Sequence, residues 1–341
     1  MKILVIGKPT YNIVLTQDKY LVEGSKNLLK EKYEMMGGAT VYAAVLLAKW
    51  GMDVTYTGVI GADPNGQKIK TDLDNARVNT KYIELNYENK TSLNYILVNK
   101  ENGSSTQMLM EMPVNLAKYK YDFIPDYIIM DGTDPMGSLA ALNNFPHSKF
   151  ILLANKVDQE LYNISKRCTY VVANSSFAKA LTKMDLELNK SKALVNFFQK
   201  IKDLNKAEYV VTLKDKGVLY TKGREVKMLP ATKTNIVDDT NAGPVFFGAY
   251  CYGIINGLDK DITMKIASAS AALGMQKYGI EGIPKLDEIC SILNIKLDNN
   301  SDTVMKEEDN NAQSEETELP KENMEWSIYK YTSFYWFAWV F

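Results

Sequence analysis

The sequence predicts an α/β fold with a mostly parallel central sheet covered by helices. Short runs of β-branched residues alternate along the chain with longer amphipathic stretches, and this alternation is typical of parallel strands joined by helices. The chain has 341 residues, of which 46% are hydrophobic. It is therefore long enough to bury a large core.

The strands of this sheet are predicted from short apolar runs, and the helices from apolar residues that recur at helical spacing. The predicted strands are residues 2–6, 54–59, 127–130, 150–153, 170–173 and 209–213. The predicted helices are residues 41–50, 66–76, 176–182, 190–204, 245–256 and 262–277. No internal repeat is apparent in the sequence.

Two segments depart from the alternation of strand and helix. Residues 12–34 and 92–109 have the pattern of strands and turns with exposed polar faces. We expect these two segments to form a small separate sheet.

The C-terminal part of the chain differs in composition from the rest. Residues 298–325 carry ten acidic and two basic side chains and few large apolar groups, which is too little to offset the entropy of ordering a chain. We predict a flexible acidic linker there, followed by an aromatic tail at residues 326–341 that is too short to span a bilayer as a helix. Residues 1–297 are expected to form the folded domain.

Composition excludes several classes of function. The 40 basic and 41 acidic residues nearly balance, so neither nucleic acid nor a membrane surface is an expected partner. Cys168, Cys251 and Cys290 have no metal-ligand spacing and are too few for a disulfide framework, which favours a cytoplasmic location. The N-terminus lacks a signal-peptide pattern. His147 is the one histidine, so no protein metal site and no imidazole base is predicted.

The most informative stretch is GGATVYAAVLLAKWGMDVTYTGVIGADPNG, residues 37–66. It resembles the N-terminal signature of the PfkB family of sugar and nucleoside kinases: a glycine pair, a helix of small residues and a glycine-rich turn around an aspartate. Gly37 and Gly38 can adopt backbone angles denied to other residues, so they suit a hinge between a lid and a core and allow a substrate to approach the main chain.

A second stretch, VDDTNAGPVFFGA at residues 237–249, resembles the family's later signature without a gap. In the family, a Gly-Ala-Gly turn at a helix N-terminus forms an anion hole for the transferring phosphate. The aspartate that follows takes the proton from the attacking hydroxyl. By this resemblance Asn241, Ala242 and Gly243 occupy the anion hole, and Pro244 occupies the position of the catalytic base.

Proline at this position removes both a carboxylate and a backbone N–H. A missing general base costs about 10²–10⁴ in rate, and a missing oxyanion donor about 10²–10³. Pro244 suits the first position of the predicted helix, where its absent N–H is not needed. Asp238 and Asp239, a few residues upstream, are candidate substitutes for the base.

Other positions of the resemblance lie at substrate and nucleotide sites. The family's sugar-binding aspartate corresponds to Asn12, which can still donate and accept hydrogen bonds to hydroxyls, and the family's asparagine in the first helix corresponds to Tyr42. With Gly37 and Gly38, these are the expected substrate-binding residues.

Nucleotide binding is expected from two further matches to the family. Asn174 matches the asparagine of an Asn-x-x-Glu segment, although Phe177 replaces its glutamate. Thr212 and Gly217 match a Thr-Leu-Gly-x-x-Gly loop in which Lys214 replaces the first glycine. Lys214 is either a phosphate contact or a solvated turn residue.

The resemblance implies a ribokinase-like three-layer sandwich with a small β lid, ATP and Mg²⁺ as cofactors, a small sugar or nucleoside as substrate, and a homodimer formed through the lid. Two functions follow from it: a sugar or nucleoside kinase impaired by Pro244, and an inactive pseudokinase that binds sugar or nucleotide for regulation or assembly. A nicotinamide-dependent oxidoreductase is a remote third alternative, because the segment after Gly7 lacks the Gly-x-Gly-x-x-Gly pattern.

Overall fold

The computed structural model describes residues 1–19, 21–116 and 120–297. In chain order its strands are β1 (Ile3–Ile6), β2 (Thr10–Gln17), β3 (Lys32–Gly37), β4 (Val54–Gly61), β5 (Asn79–Asn86), β6 (Leu93–Asn99), β7 (Ser105–Met110), β8 (Tyr127–Met130), β9 (Lys149–Ala154), β10 (Tyr170–Asn174), β11 (Glu208–Thr212), β12 (Val218–Lys222) and β13 (Glu225–Leu229).

The α-helices follow the same order along the chain. They are α1 (Ala39–Lys49), α2 (Pro64–Asn75), α3 (Pro135–Asn144), α4 (Gln159–Ser165), α5 (Ser175–Thr182), α6 (Ser191–Leu204), α7 (Ala242–Ile255), α8 (Lys260–Gly274) and α9 (Leu286–Leu293). None of the helices in the described part of the chain has the length and apolar character that crossing a membrane requires.

The larger sheet has the strand order β13-β12-β11-β10-β9-β8-β1-β4-β5. Strands from β11 to β5 run parallel to one another, and β12 and β13 extend the sheet as an antiparallel edge. One apolar core lies between one face of the sheet and helices that include α1, α7 and α8, and a second lies between the other face and α3 to α6. This arrangement confirms the predicted three-layer α/β sandwich.

A second, four-stranded sheet has the order β3-β2-β6-β7. Strand β2 pairs antiparallel with β3 and parallel with β6, and β6 pairs antiparallel with β7. The small sheet expected beside the main one is therefore present, and we call it the lid sheet. The hinge motion predicted for Gly37 and Gly38 stays a prediction. The structure places these two residues where β3 ends and α1 begins.

The glycine-rich turn after β4 is explained by one carboxylate. Asp63 caps α2 by accepting a hydrogen bond from the Gly66 N–H (2.9 Å), and it also accepts from the backbone and hydroxyl of Thr91. A Cβ at Gly66 would lie 2.2 Å from the Gly61 carbonyl oxygen, so only glycine fits there. The turn thereby joins the main sheet to the segment that enters β6.

Each predicted strand and helix of the alternating part has a counterpart in the structure. One boundary was wrong in a way that matters: α7 begins at Ala242 rather than at residue 245, so Pro244 is its third residue, not its first. Proline fits there because the first N–H groups of a helix have no intrahelical partner. The structure also contains β5, β12, β13, α3, α4 and α9, which were not predicted from the sequence.

The predicted linker and aromatic tail, residues 298–325 and 326–341, lie outside the described residues. The division of the chain proposed from its composition therefore stays a prediction.

Candidate active site

The site expected for the transferring phosphate is the N-terminus of α7. A 3₁₀ turn, Asp239–Asn241, leads directly into this helix. The Ala242 N–H donates to the Asp239 carbonyl oxygen of this turn. The Gly243 N–H has no partner within the helix, and Pro244 has no N–H. A Cβ placed on Gly243 would meet nothing within 4 Å. The helix start therefore keeps open space and one free donor for an anion, the Gly243 N–H, and Pro244 supplies neither a donor nor a carboxylate.

Asn241 is fully buried, and its amide is used within the protein. Its Nδ2 donates to the carbonyl oxygens of Gly274 (3.0 Å) and Lys277 (2.8 Å), and its Oδ1 accepts from the Tyr42 hydroxyl (2.9 Å). These bonds tie the start of α7 to the end of α8 and to α1. Asn241 therefore clamps the helix start, and its side chain is not available to a phosphate in this conformation.

Tyr42, predicted to bind substrate, lies in the core between α1 and α7. Burial raises the pKa of its hydroxyl, so the group stays a neutral donor. Its hydroxyl is engaged by Asn241, so the structure brings together two positions that depart from the family pattern. Nothing in the sequence predicted this pairing, because the two residues are 199 positions apart.

The two candidate substitutes for the base have different environments. Asp238 is fully buried and accepts hydrogen bonds from the Thr240 N–H and hydroxyl and from the Gly279 N–H. Its carboxylate holds the turn before α7. Asp239 stays exposed, and partial desolvation raises the pKa of its carboxyl. Of the two, only Asp239 has a carboxylate that can meet a ligand without dismantling this turn.

The lid sheet touches the turn before α7 directly. The Ser105 hydroxyl, on β7, donates to Asp239 Oδ1, and the Asp239 N–H donates to the Gly103 carbonyl oxygen (3.0 Å). A Cβ at Gly103 would lie 2.5 Å from the Ile236 side chain. The tip of the β6–β7 hairpin is therefore seated against the loop that presents the candidate base.

The glycine pair lies beneath the side chain of Asn12. Asn12 is buried, its Oδ1 accepts from the Thr10 hydroxyl (2.8 Å), and a Cβ on Gly37 would lie 2.1 Å from Asn12 Nδ2. Gly38 has a φ of 108°, which a residue with a side chain rarely adopts. Gly38 is thus needed for the chain to pass from the lid sheet into α1, and Gly37 leaves room for the Asn12 side chain.

A buried carboxylate that was not predicted from the sequence supports this passage. Asp131 follows β8, and it accepts hydrogen bonds from Thr133 and from Thr40 in the first turn of α1. Burial raises the pKa of its carboxyl. Gly38 has no side chain to cap α1, so Asp131 supplies an acceptor for the free N–H of Thr40. An aspartate directly after an apolar strand run was the available signal.

The expected nucleotide residues lie at the carboxyl ends of β10 and β11. Asn174 and Thr212 are register partners on these strands. Asn174 also caps α5, with its Oδ1 accepting from the Phe177 N–H (2.8 Å). Phe177 is fully buried and packs on Tyr162, with ring centroids 4.9 Å apart. The position that holds a glutamate in the family pattern is therefore part of the apolar core here.

The turn between β11 and β12 keeps the backbone expected of a glycine-rich loop. Lys214 has a φ of 57° and Gly217 a φ of 101°, and a Cβ on Gly217 would lie 2.0 Å from the Leu229 carbonyl oxygen. Lys214 is exposed, and its charge acts to lower the pKa of Asp239. The charge of Lys214 in this turn therefore acts on the Asp239 carboxylate before α7.

Comparisons with known proteins agree with this arrangement. Residues 1–286 match the pfkB family carbohydrate kinase family. Ribokinase of Bacillus subtilis is 23% identical over 309 residues, which cover 85% of this chain and 99% of that protein. Ribokinase of Lactococcus lactis is 25% identical over 307 residues, which cover 84% of this chain and 95% of that protein.

Solved structures show the same fold. A putative ribokinase from Agrobacterium tumefaciens superposes with a TM-score of 0.76 at 18% identity, covering 86% of this chain and 97% of that one. Arabidopsis thaliana ribokinase complexed with ribose and ATP superposes with a TM-score of 0.72 at 19% identity, covering 86% of this chain and 99% of that one. With the family match over most of its length, the chain belongs to the pfkB family of carbohydrate kinases.

Proposed function

We propose that the protein binds ATP and a small sugar-like substrate and transfers a phosphoryl group to a substrate hydroxyl at a rate reduced by Pro244. The observation that carries this proposal is the start of α7, where the Gly243 N–H has no partner within the helix and lies beside open space. Such a helix start stabilises the negative charge of a transferring phosphoryl group. Phosphoryl transfer depends mainly on positioning and charge stabilisation, so this geometry supports turnover without the usual base.

Nucleotide binding is supported by the residues at the carboxyl edge of the main sheet. The Lys214–Gly217 turn offers a cation and a close-packed backbone, and Asn174 and Thr212 lie beside it. The Arabidopsis relative is described as complexed with ribose and ATP, which makes both ligands natural first probes. Magnesium-bound ATP supplies the phosphoryl group and neutralises part of its charge.

A resident magnesium cage is not required for this role. No group of three or more acidic, histidine or cysteine side chains that could hold a metal occurs in residues 1–19, 21–116 and 120–297. Mg²⁺ commonly keeps several waters and binds mainly through substrate phosphates, so the side chains present are compatible with a metal that arrives with the nucleotide.

The proton of the attacking hydroxyl needs an acceptor in place of the missing carboxylate at residue 244. We assign this role to Asp239, which is exposed and lies beside the helix start. The carboxylate of Asp238 is instead hydrogen-bonded to backbone N–H groups of the turn and of Gly279. Its raised pKa brings the carboxyl closer to the range in which general bases work. The Ser105 hydroxyl holds Asp239 in the observed conformation.

A pseudokinase is the second candidate function, and a specific observation favours it. Two carboxylate positions of the family pattern are lost together, because Pro244 has no titratable group and Phe177 is buried in the core. The amide of Asn241 is also used internally. A protein with this site would bind its ligands without turning them over.

We further propose that a second copy of the chain pairs with the lid sheet. Strand β7 is an edge strand of this sheet, and it exposes Met108, Leu109 and Met110 by 49%, 55% and 63%. An exposed apolar edge strand is a template for pairing with another chain. Analytical ultracentrifugation of the whole chain tests this: a monomer at all concentrations would contradict it.

The proposed activity is tested by two measurements on the full chain. Titration calorimetry with ATP and Mg²⁺ measures nucleotide binding, and transfer of the γ-phosphoryl group to a panel of sugars and nucleosides measures turnover. Slow transfer to one class of acceptor supports the kinase. Binding without transfer supports the pseudokinase, and absence of nucleotide binding contradicts both.

A further inference from the structure

A cavity of about 420 Å³ lies at the edge of the main sheet where β11 begins, and we call it the amino-edge cavity. It is lined by the C-terminal half of α6, residues 206–209, the turn between β12 and β13, and the first residue of α8. Small-molecule sites have volumes of about 300–1,000 Å³. Thr212, an expected nucleotide residue, is at the opposite end of β11 from Glu208. A strand rises about 3.3 Å per residue, so roughly 13 Å separates the two ends.

The lining of the amino-edge cavity is positively charged. Among the described residues that form it, three are lysines and one, Glu208, is acidic. Lys260 forms an ion pair with Glu208, with 2.6 Å between its Nζ and Oε1. Lys202 and Lys206 are exposed, and neither forms an ion pair with an acidic side chain in the described part of the chain. Two lysines are therefore left without a counterion, and the lining has a net charge of +2 at pH 7.

The inner wall of the amino-edge cavity is mainly apolar. Phe198 and Ile201 of α6 and Tyr209 of β11 line it, and all three are buried. The Tyr209 hydroxyl accepts a hydrogen bond from Asn205 Nδ2 (2.8 Å), which places this polar pair within the protein's own bonding. An apolar wall with a few charged groups beside it is typical of sites for organic molecules. The cavity therefore suits an organic anion better than an inorganic ion.

We propose that the amino-edge cavity binds a small organic phosphate monoester. Such a group carries about −1.5 to −2 charges at pH 7 and has three strong acceptor oxygens. Its charge matches the two lysines without a counterion, Lys202 and Lys206, and its oxygens accept from both ammonium groups at once. Its carbon skeleton covers the apolar wall. This inference does not rest on the proposed function, because no residue of the cavity belongs to the candidate active site.

The class of ligand is tested by calorimetry on the full chain with D-ribose 5-phosphate, AMP, inorganic phosphate and succinate. The two esters distinguish a sugar phosphate from a nucleotide as the source of the group. At least one ester should bind. Inorganic phosphate lacks the carbon skeleton and succinate divides its charge between two groups, so both should bind at least roughly tenfold more weakly. Binding of neither ester, or equal binding of succinate, would overturn the inference.

The place of binding is tested with two matched double variants of α6 and the segment after it. Lys202→Gln/Lys206→Gln should weaken binding of the ester by at least roughly tenfold, because it removes two charge-assisted hydrogen bonds. Lys192→Gln/Lys200→Gln removes the same charge from exposed positions of α6 outside the cavity, and it should leave the affinity unchanged. Circular dichroism checks that both variants fold. No loss in the first variant, or equal losses in both, would overturn the assignment.

Glu208→Gln should change the affinity in the opposite direction. It removes the acidic group of the lining and releases Lys260 from its ion pair, so the ester should bind roughly threefold or more tightly. Weaker binding would contradict the argument from charge. Lys214→Gln removes the cation of the expected nucleotide turn and should leave ester binding unchanged. Loss of binding in Lys214→Gln, with none in Lys202→Gln/Lys206→Gln, would place the ester in the candidate active site and overturn the inference.

Discussion

The Tyr42 hydroxyl donates a hydrogen bond to Asn241 Oδ1 at a distance of 2.9 Å, and both residues are buried. By the resemblance of the sequence, Tyr42 is expected at the position of the family's asparagine in the first helix, and Asn241 at that of the first glycine of the anion hole. The two departures therefore form one contact between α1 and the start of α7. This contact explains how the fold tolerates a bulky polar residue at a position that glycine usually occupies.

Removing the Tyr42 hydroxyl should destabilise the protein. In Tyr42→Phe, Asn241 Oδ1 stays buried but loses the donor that satisfies it, so the free energy of unfolding should fall by about 1–3 kcal/mol. Urea unfolding followed by circular dichroism measures this change. Tyr87→Phe is the matched control, since Tyr87 is 84% exposed. Equal stability of Tyr42→Phe and the natural protein would mean that the contact contributes nothing.

The role of Asp239 can be tested through rate and pH. Asp239→Asn should lower the remaining phosphoryl transfer by about 10²-fold or more, because it removes the proton acceptor. Partial desolvation raises the pKa of this carboxyl, and the base acts when deprotonated. The rate should therefore rise with pH through a value above the ordinary aspartate pKa of about 3.9.

Ser105→Ala separates the base from its lid contact. It removes the hydroxyl that donates to Asp239 Oδ1 but leaves the carboxylate, so it should further raise the pKa of Asp239 and move the pH profile upward. An unchanged profile in both Ser105→Ala and Asp239→Asn would exclude Asp239 as the base.

The stability of the fold at low pH should depend on Asp261, which lies in the first turn of α8. Lys222, Lys227 and the Tyr220 hydroxyl all donate to its carboxylate, each at 2.8 Å, and these bonds hold the pKa of Asp261 well below its usual range. A lowered folded-state pKa contributes stability above the unfolded value of about 3.9, and this contribution is lost as pH falls through the folded value.

Asp261→Asn should accordingly lower the free energy of unfolding by about 1–2 kcal/mol at pH 7, since bonds to charged groups connect β12 and β13 to α8. The difference from the natural protein should shrink as the pH is lowered below about 4. Urea unfolding at pH 7 and pH 3 checks both statements. Asp185→Asn, which affects one exposed ion pair with Lys179, should change stability much less. A difference for Asp261→Asn that is independent of pH would refute the electrostatic explanation.

The main strands and the glycine pair could be predicted because their signals are local. A central strand of a parallel sheet is buried on both of its faces, so it is apolar at every position. Residues 127–130 form such a run, and the structure has a fully buried strand there. Gly38 has a positive φ. The glycine pair before a helix of small residues indicates such a position in the sequence. The antiparallel edge strands were missed because β12 has a buried apolar run of only three residues, Val218–Tyr220, and the residues of β13 are partly exposed.

The contacts that define the candidate site could not be predicted, because they join distant parts of the chain. The partners of Asn241 lie on α1 and at the end of α8. Phe177 shows the same limit: sequence indicates a lost carboxylate, but only the structure shows that the position is part of the core. Non-local packing decides such cases.

Replacing Pro244 tests whether this residue limits catalysis in an otherwise suitable site. Pro244→Asp supplies a proton acceptor and a backbone N–H in the first turn of α7, where aspartate also suits the helix dipole. Pro244→Asn is the matched control, since it restores the N–H without a base. If both variants gain equally, the missing N–H rather than the missing carboxylate is the limiting defect.

The decisive measurement is the rate of γ-phosphoryl transfer from ATP to the best acceptor among the sugars and nucleosides, for the natural protein, Pro244→Asn and Pro244→Asp. We expect a slow natural protein and a gain of about 10²–10⁴ for Pro244→Asp over Pro244→Asn. A natural protein that already turns over at about 10 s⁻¹, the typical value for enzymes, and gains nothing from the aspartate would contradict this expectation.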